Sequence, residues 1–425
     1  MKIAIKDSKI FNITNKTIEE STLMNIIARP QYLKTLEHFR DQTDIIKVIT
    51  GIRRSGKTFL MGMMIDHLKQ QGIATDQIIH LNFENFNFIN IKTAQDLYRY
   101  VQAHRNHSKR NYLFFDEIQH VTDWEKAVNA FRVEMDADIY ITGSNAYLLS
   151  GELATLLTGR YVELKVFPLS FKEYFNFKHG TPETAYHLFQ NYLLDGGFPA
   201  VVKAPSRDLK IDLQNGIFDS IILTDIALRA NNRNDRAVMA IANYLMSEVG
   251  NLVSARKIAN TLRSYGHRIT TATVINYLTL LERSFLFMPA QRYDLRGKKW
   301  LSSQCKYYVA DNGLRNTRLL RSPSDNLGHQ IENVVYFELL RRGYSVNVGK
   351  LGSQEIDFVA RKGEEVRYYQ VTQHLPEQSD REIANLLLIP DAYQKFLLTL
   401  DQMDTGNRQG VQVIWLIDWL LADKD

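Results

Sequence analysis

From Asp44 to Phe167, short runs of β-branched and aromatic residues alternate with longer stretches whose apolar positions recur every three or four residues. "DIIKVITG" (44–51) is a buried-strand pattern ending in glycine, and "TFLMGMMIDHLKQQG" has helical spacing and stops at Gly72. Further strands follow in "QIIHLNFEN", "NYLFFDEI", "DIYITGSN" and "YVELKVF", with helices in "TAQDLYRYVQAHRN" and "DWEKAVNAFRVEM" between them. This alternation predicts an α/β fold, a parallel sheet covered by helices on both faces, with ligands at the carboxyl ends of the strands. After that the pattern changes. Residues 176–235 are helical in spacing, broken by "DGGFPA", and "VQVIWLIDWLL" near the end reads as a strand followed by a terminal helix.

A chain of 425 residues is too long for one ordinary core, so roughly two to four domains are expected. Charged residues make up 23% and apolar residues 45%, a globular composition that excludes disorder. Cys305 is the single cysteine, which can neither staple a fold nor build a structural zinc site, so a reducing cytoplasm is the expected setting. The start, "MKIAIKDSKIFNITNK", has no apolar core of a signal peptide. "VQVIWLIDWLL" carries Asp418 and is far shorter than a membrane span, so no membrane partner is expected. The net charge is only +5, but Asn251 to Ser345 hold fifteen Lys and Arg against six Asp and Glu. That basic section reads either as a nucleic-acid surface or as an ordinary solvated face.

"GIRRSGKT" fits the pattern G-x-x-x-x-G-K-[S/T], and it lies between a strand and a helix, the context in which that pattern cradles phosphate. The cradle runs through Gly51, Ile52, Arg53, Arg54, Ser55, Gly56, Lys57, Thr58 and Phe59. Its glycines let backbone N–H groups turn inward, and the helix N-terminus adds positive potential. Lys57 is expected on the β- and γ-phosphates of ATP, and the Thr58 hydroxyl on Mg²⁺. Arg53 and Arg54 read either as phosphate contacts or as solvated, paired side chains. "NYLFFDEI" supplies a second strand end, where Asp116 holds Mg²⁺ through water and Glu117 orients or deprotonates the attacking water. The alternative for Glu117 is a helix cap. Thr142, Ser144 and Asn145 end the fourth strand; Ser144 is the choice for touching the γ-phosphate or the lytic water, against a plain turn. Arg160 reads either as an arginine finger acting on a neighbouring subunit's nucleotide in a homo-oligomer, or as a cation meeting a helix end.

"GIRRSGKT", "LFFDEIQHVTDWEKAV", "ITGSNAYLLSGELATLLTGRYVELKVFPLSFKEYF" and "YLLDGGFPAVV" closely resemble a prokaryotic family of AAA+ ATPases with a carboxyl-terminal domain of unknown function. The resemblance covers residues 25–425. It implies an ASCE-type ATPase core, a small helical lid, a winged-helix segment, and a terminal α/β domain similar to restriction endonucleases of the PD-(D/E)xK type. Members of that family begin near "IARPQYLKTL", so the first 23 residues look like an extension and Met24 is an alternative start. The expected division is an extension and linker over 1–45, the ATPase core over 46–175, the lid over 176–235, the winged helix over 236–320 and the nuclease-like domain over 321–425.

The middle section supports the winged-helix expectation. Ile258 and Leu262 form one short apolar face, and Val274, Leu278 and Leu281 a second, after which "FLFMPAQRY" starts a hairpin. The second helix is expected to expose Thr271, Thr273 and Asn276. Arg292, Arg296, Lys298 and Lys299, on or after the wing, can meet phosphate; the alternative for this segment is a protein-interaction or lid-extension module. In the terminal domain Glu332 falls on a helix, Asp357 on a strand, and Gln370 and Thr372 where the nuclease pattern wants Glu-x-Lys. A neutral amide and a hydroxyl replace a metal ligand and an ammonium there, so the fold is expected without the catalysis. The reading is thus an ATP-hydrolysing protein whose basic half contacts DNA. The rival is a slow ATP-dependent switch with a protein partner, such as a stress or defence regulator, and a third reading is an ATP-regulated nuclease.

Overall fold

A computed structural model of the chain describes residues 27–149, 157, 159–227, 235–322, 324–375 and 381–423. The expected amino-terminal extension, Met24 and most of "GELATLLTG" lie outside them.

Five strands form a wholly parallel sheet: β1 (Ile46–Thr50), β2 (Ile78–Asn82), β3 (Asn111–Asp116), β4 (Ala137–Thr142) and β5 (Tyr161–Lys165), in the order β2-β3-β4-β1-β5. β1, β3 and β4 are buried along their whole lengths, as continuous apolar runs require of central parallel strands. Helices α1 (Pro30–His38) and α2 (Lys57–Gln70) lay Leu36, Leu60, Met64 and Leu68 on one face, against Ile49, Phe114 and Tyr140. Helices α3 (Ala94–His104) and α4 (Trp124–Glu134) lay Leu97, Val101, Trp124 and Phe131 on the other, against Val48, Leu113 and Phe115. Because β4 lies between β1 and β3, the loop after β1 and the acid pair after β3 flank the end of β4, where Thr142 stands.

Most of the rest of the chain shares one large apolar core, and a second, smaller cluster gathers Ile356, Val359, Leu386 and Leu397 on the carboxyl-terminal sheet. The first part of this stretch is helical: α5 (Phe171–Phe177), α6 (Ala185–Asp195), α7 (Pro199–Lys203), α8 (Arg207–Ser220), a π-helical turn (Ile221–Ala227) and α9 (Asp235–Ser247). Then come β6 (Leu252–Val253), α10 (Ala255–Ser264), α11 (Thr271–Arg283), the hairpin β7 (Phe287–Asp294) and β8 (Lys299–Val309), α12 (Asn312–Leu319) and α13 (Leu327–Arg341). The chain ends with β9 (Ser345–Leu351), β10 (Gln354–Lys362), β11 (Glu365–Thr372), α14 (Arg381–Leu387), β12 (Gln394–Thr399), β13 (Gly406–Arg408), β14 (Val411–Trp415) and α15 (Leu416–Leu421). Ile258, Leu262, Val274, Leu278 and Leu281 are buried, so the two short apolar faces pack as their spacing predicts. On α11, Asn276 is exposed, whereas Thr271 and Thr273 are half-buried; the Thr270 hydroxyl caps the helix, accepting from the Thr273 N–H at 3.1 Å.

One feature of the second half is not local in sequence. The hairpin joins a nine-stranded sheet, β13-β14-β12-β11-β10-β9-β7-β8-β6, through parallel pairing of Arg292–Asp294 with Val348–Lys350. Residues on both sides of the expected boundary at 320 therefore belong to one sheet. No helix among the described residues is long and apolar enough to cross a membrane.

Candidate nucleotide site

Two glycines shape the loop after β1. At Gly51 (φ 141°) a Cβ would stand 2.1 Å from the Val166 carbonyl oxygen, so no side chain fits. Gly56 (φ 98°) turns the chain into α2 from the left-handed region. Lys57 is buried, and its Nζ donates to the carbonyls of Gly51 at 3.1 Å and Ile52 at 3.3 Å, across the mouth of the loop. The Ser55 Oγ is buried with no hydrogen-bond partner, a polar atom the protein itself leaves unsatisfied. Thr58 and Phe59 are exposed at the helix start, and Arg53 lies 3.6 Å from Glu84. Inward glycines, an orphaned hydroxyl, a buried lysine and an exposed threonine suit a polyphosphate with its cation.

Arg29, which the sequence reading did not single out, holds the loop from behind. Its Nε donates to Glu173 at 2.7 Å, and its two terminal nitrogens donate to the carbonyls of Ser55 at 3.0 Å and Phe167 at 2.8 Å.

Asp116 is fully buried at the end of β3. It accepts hydrogen bonds from the Thr142 hydroxyl and, at 3.0 Å, from the Asn82 amide. Glu117 follows in the left-handed region (φ 53°), with its backbone N–H donating to the Thr142 Oγ1 at 2.9 Å. Its carboxylate caps no helix; it accepts from the Gln119 amide and from the Ser144 backbone N–H at 3.2 Å. The side chain of β4 that touches the acid pair is thus that of Thr142, while Ser144 reaches it through the backbone. Asn82 and Gln119 were missed. The register that sets Asn82 beside Asp116 gives the first of them a reason, since a polar residue closing an apolar strand next to an acid is a site signal.

Arg160 is exposed, and its carbonyl accepts from the Ile46 N–H at 2.9 Å. That contact puts it at the amino-terminal edge of the sheet, at the far end of β1 from the phosphate loop. The stretch before it, on which the helix-end alternative rests, lies largely outside the described residues.

In the carboxyl-terminal sheet, Glu332, Asp357 and Gln370 come together, but Thr372 does not join them; its hydroxyl donates to the His374 carbonyl at 3.0 Å. Gln370 Oε1 accepts from the Asp357 N–H at 3.3 Å, and its amide donates to Glu382 at 2.7 Å. Burial, and after it the neighbouring Glu332, push the Asp357 carboxyl well above the usual aspartate range. Lys306 on β8 occupies the centre of the cluster, 2.9 Å from Glu332 and 2.7 Å from Glu355. Burial works against its charge, yet Glu332, Asp357 and Glu355 hold the ammonium above the ordinary lysine range.

Residues 43–175 match the family model of an AAA domain, and residues 186–325 that of a domain of unknown function. The chain is 47% identical to an uncharacterized protein of Haemophilus influenzae, over 93% of this chain and 99% of that protein. It is 32% identical to an uncharacterized protein of Methanocaldococcus jannaschii, over 88% of this chain and 85% of that one. Among solved structures, a Walker-type ATPase of Pyrococcus abyssi aligns at 14% identity and a TM-score of 0.49, over 69% of this chain and 95% of that one. The Orc1 protein of Aeropyrum pernix, solved in complex with DNA, aligns at 11% identity and a TM-score of 0.31, over 69% and 91%. The parallel sheet, the phosphate loop, the acid pair and the AAA-domain match together define a P-loop AAA+ ATPase core. The chain belongs to one family with the Haemophilus and Methanocaldococcus proteins.

Proposed function

We propose that the protein hydrolyses ATP at the loop Gly51–Thr58 and uses the cycle to move a DNA-contacting carboxyl-terminal half in the cytoplasm. The observation that carries the reading is the orientation of Glu117, whose carboxylate is held by Gln119 and Ser144 instead of capping a helix. A carboxylate posed beside the acid that holds the metal suits activation of water. Lys57 leaves its carbonyl contacts for the β- and γ-phosphates, and Thr58 and Asp116 hold Mg²⁺. Bound Mg²⁺ neutralises phosphate charge. Arg160 serves the site of a neighbouring subunit.

Two contacts support coupling to the second half. Pro199, in the "GGFPA" segment, packs beside Gly56, where a Cβ would stand 3.8 Å from its ring. In the same segment the Gly197 N–H donates at 2.6 Å to Asp311, whose other oxygen caps α12 at the Leu314 N–H. A shift of the phosphate loop thereby has a packed route to α12 and the sheet beyond it.

The DNA reading rests on α10, α11 and the hairpin, with β6 paired to β8, which is the winged-helix order. Arg296, Lys298 and Lys299 are exposed at the hairpin turn, where phosphate contacts suit them. The terminal domain acts as a restriction-endonuclease-like platform that does not cut, because the Lys306 ammonium already pairs with Glu332 and Glu355 and Gln370 brings no charge. The test is ATP turnover with and without duplex DNA at several salt concentrations. Stimulation that fades with salt is expected. Slow turnover indifferent to DNA would instead favour the switch with a protein partner.

A further inference from the structure

A cleft of about 850 Å³ lies between the ATPase core and the carboxyl-terminal half, walled by α1 and β5 on one side and by β7, β9 and the end of α13 on the other. It exists because β7 and β9 pair only from Arg292 and Val348 onward. Before that point the two strands part, and Met288, Gln291 and Asn347 face the opening.

We propose that this cleft binds single-stranded DNA. The inference rests on the nucleic-acid reading above and adds a second, separate site to it. Three observations carry it. The charged residues lining the cleft are Lys165, Arg341, Arg342 and Lys362 against Glu163. Lys165 lies 3.4 Å from Glu163, and Arg341 and Arg342 share Glu338 just behind the wall at 3.5 and 3.1 Å. Four cations against two carboxylates still leave the wall net positive toward a polyanion. Second, Trp300 lines the cleft and is 55% exposed, the most exposed tryptophan among the described residues. Its indole stands edge-to-face on Tyr293 at 5.2 Å, and the Arg361 guanidinium lies 3.9 Å from the centre of the same tyrosine ring. That edge contact leaves much of the indole surface free for a base to stack on. Third, Asn347 is only 6% exposed, lines the cleft, and its Oδ1 has no hydrogen-bond partner. A buried amide oxygen left unpaired is costly, and an N–H on a base edge would satisfy it.

These groups want an unstacked base face and a free base edge beside a phosphate chain, which a single strand offers and a duplex withholds. An extended peptide added to the edge of β5 is the competing occupant. It offers the cationic walls no regular run of anions.

The experiment uses the full-length protein and a fluorescein-labelled oligothymidylate of about 15 nucleotides, a length within the range of such sites, read by anisotropy at low salt. Binding is expected, with quenching of tryptophan fluorescence. Trp300→Ala should weaken it about tenfold or more and Trp300→Phe much less, as stacking on an aromatic ring requires. Asn347→Leu should weaken it without lowering the melting temperature. ATP turnover in the absence of DNA should be the same in all three variants. Absence of binding, affinity unchanged in Trp300→Ala, or quenching by an acidic peptide in place of the oligonucleotide would each overturn the proposal. A parallel titration with blunt duplex separates the two claims. Duplex binding that depends on Lys298 and Lys299, without single-strand binding, sinks the cleft and leaves the proposed function. Loss of both arms sinks both.

Discussion

A guanidinium that donates to three separate segments fixes their spacing, and Arg29 does this behind the phosphate loop, joining Glu173, Ser55 and Phe167. Both ends of the Arg29–Glu173 pair are buried, so deleting the arginine strands a carboxylate and two carbonyl oxygens. Arg29→Met should therefore destabilise the protein by about 3–5 kcal/mol, read by urea unfolding, and should weaken ATP binding in step. A loss below about 1 kcal/mol would show that water reaches Glu173. Roles within the site divide by atom. Lys57→Ala removes the cation proposed to meet phosphate and should abolish ATP binding. Glu117→Gln keeps an oxygen for the Ser144 N–H and should bind ATP normally while turnover falls by about 10²–10⁴. Filter binding with labelled ATP, alongside phosphate release, reads both; equal loss of affinity in the two variants would refute the division.

Among the elements, α12 behaves least as its sequence suggests. "NGLRNTRL" looks like a polar surface helix, yet Asn312 to Thr317 are buried. Gly313 permits this, since a Cβ there would lie 2.2 Å from the Asp195 carbonyl oxygen at the end of α6. The polar side chains are then spent inside: Asn316 donates to the Leu193 carbonyl at 2.9 Å, and the Arg315 Nε to the Met246 carbonyl at 2.9 Å. At the head of α12, burial pushes Asp311 up to about 6, against the N–H groups of Gly197, Leu314 and Gly313, which favour its charge. A carboxyl raised above its unfolded value of about 3.9 contributes stability that is fully present below that value and is lost as pH rises through about 6. Comparison of the protein with Asp311→Asn should show the difference in unfolding free energy shifting against the wild type by about 2 kcal/mol from pH 4 to pH 7. A difference that stays constant with pH would show Asp311 ionised throughout. The same element explains how far sequence reasoning reaches. The parallel sheet, the phosphate loop and the Asp116–Glu117 pair were legible because each follows from a local pattern of apolar residues, glycines and acids. Arg29 and Lys306 were not, because their partners lie 144 and 26 residues away and nothing local marks them. The parallel pairing of β7 with β9 was hidden for the same reason: a hairpin announces its own turn but not the strand beside it.

At the scale of the whole molecule, the exposed lysines at the tip of the hairpin set an expectation for DNA binding. Each phosphate contact adds about 0.9 to the slope of log affinity against log salt, so replacing Lys298 and Lys299 together should flatten it by roughly two. An unchanged slope would place the contacts elsewhere. The phosphate loop follows the carboxyl end of β1, whereas Arg160 pairs with Ile46 at its amino end. Five residues of extended strand separate them by about 17 Å, more than an arginine side chain can span. Arg160 thus cannot reach the phosphates of its own subunit. It is exposed, however, at the sheet edge where a second copy can dock, and an arginine delivered there would meet the charge that develops on a neighbour's transferring phosphate. If it does so, turnover per subunit should rise with protein concentration through the monomer–oligomer transition measured by sedimentation. Arg160→Ala should lower turnover by about 10³ without lowering ATP affinity, the mark of a contact made only in the transition state. Mixing Arg160→Ala with Glu117→Gln provides the deciding measurement. The first variant keeps an intact water-activating acid and the second an intact arginine, so a mixed assembly pairs one complete site across an interface. Recovery of turnover on mixing two inactive proteins requires a residue acting between subunits, whereas no recovery in a verified mixed assembly would return Arg160 to a structural role.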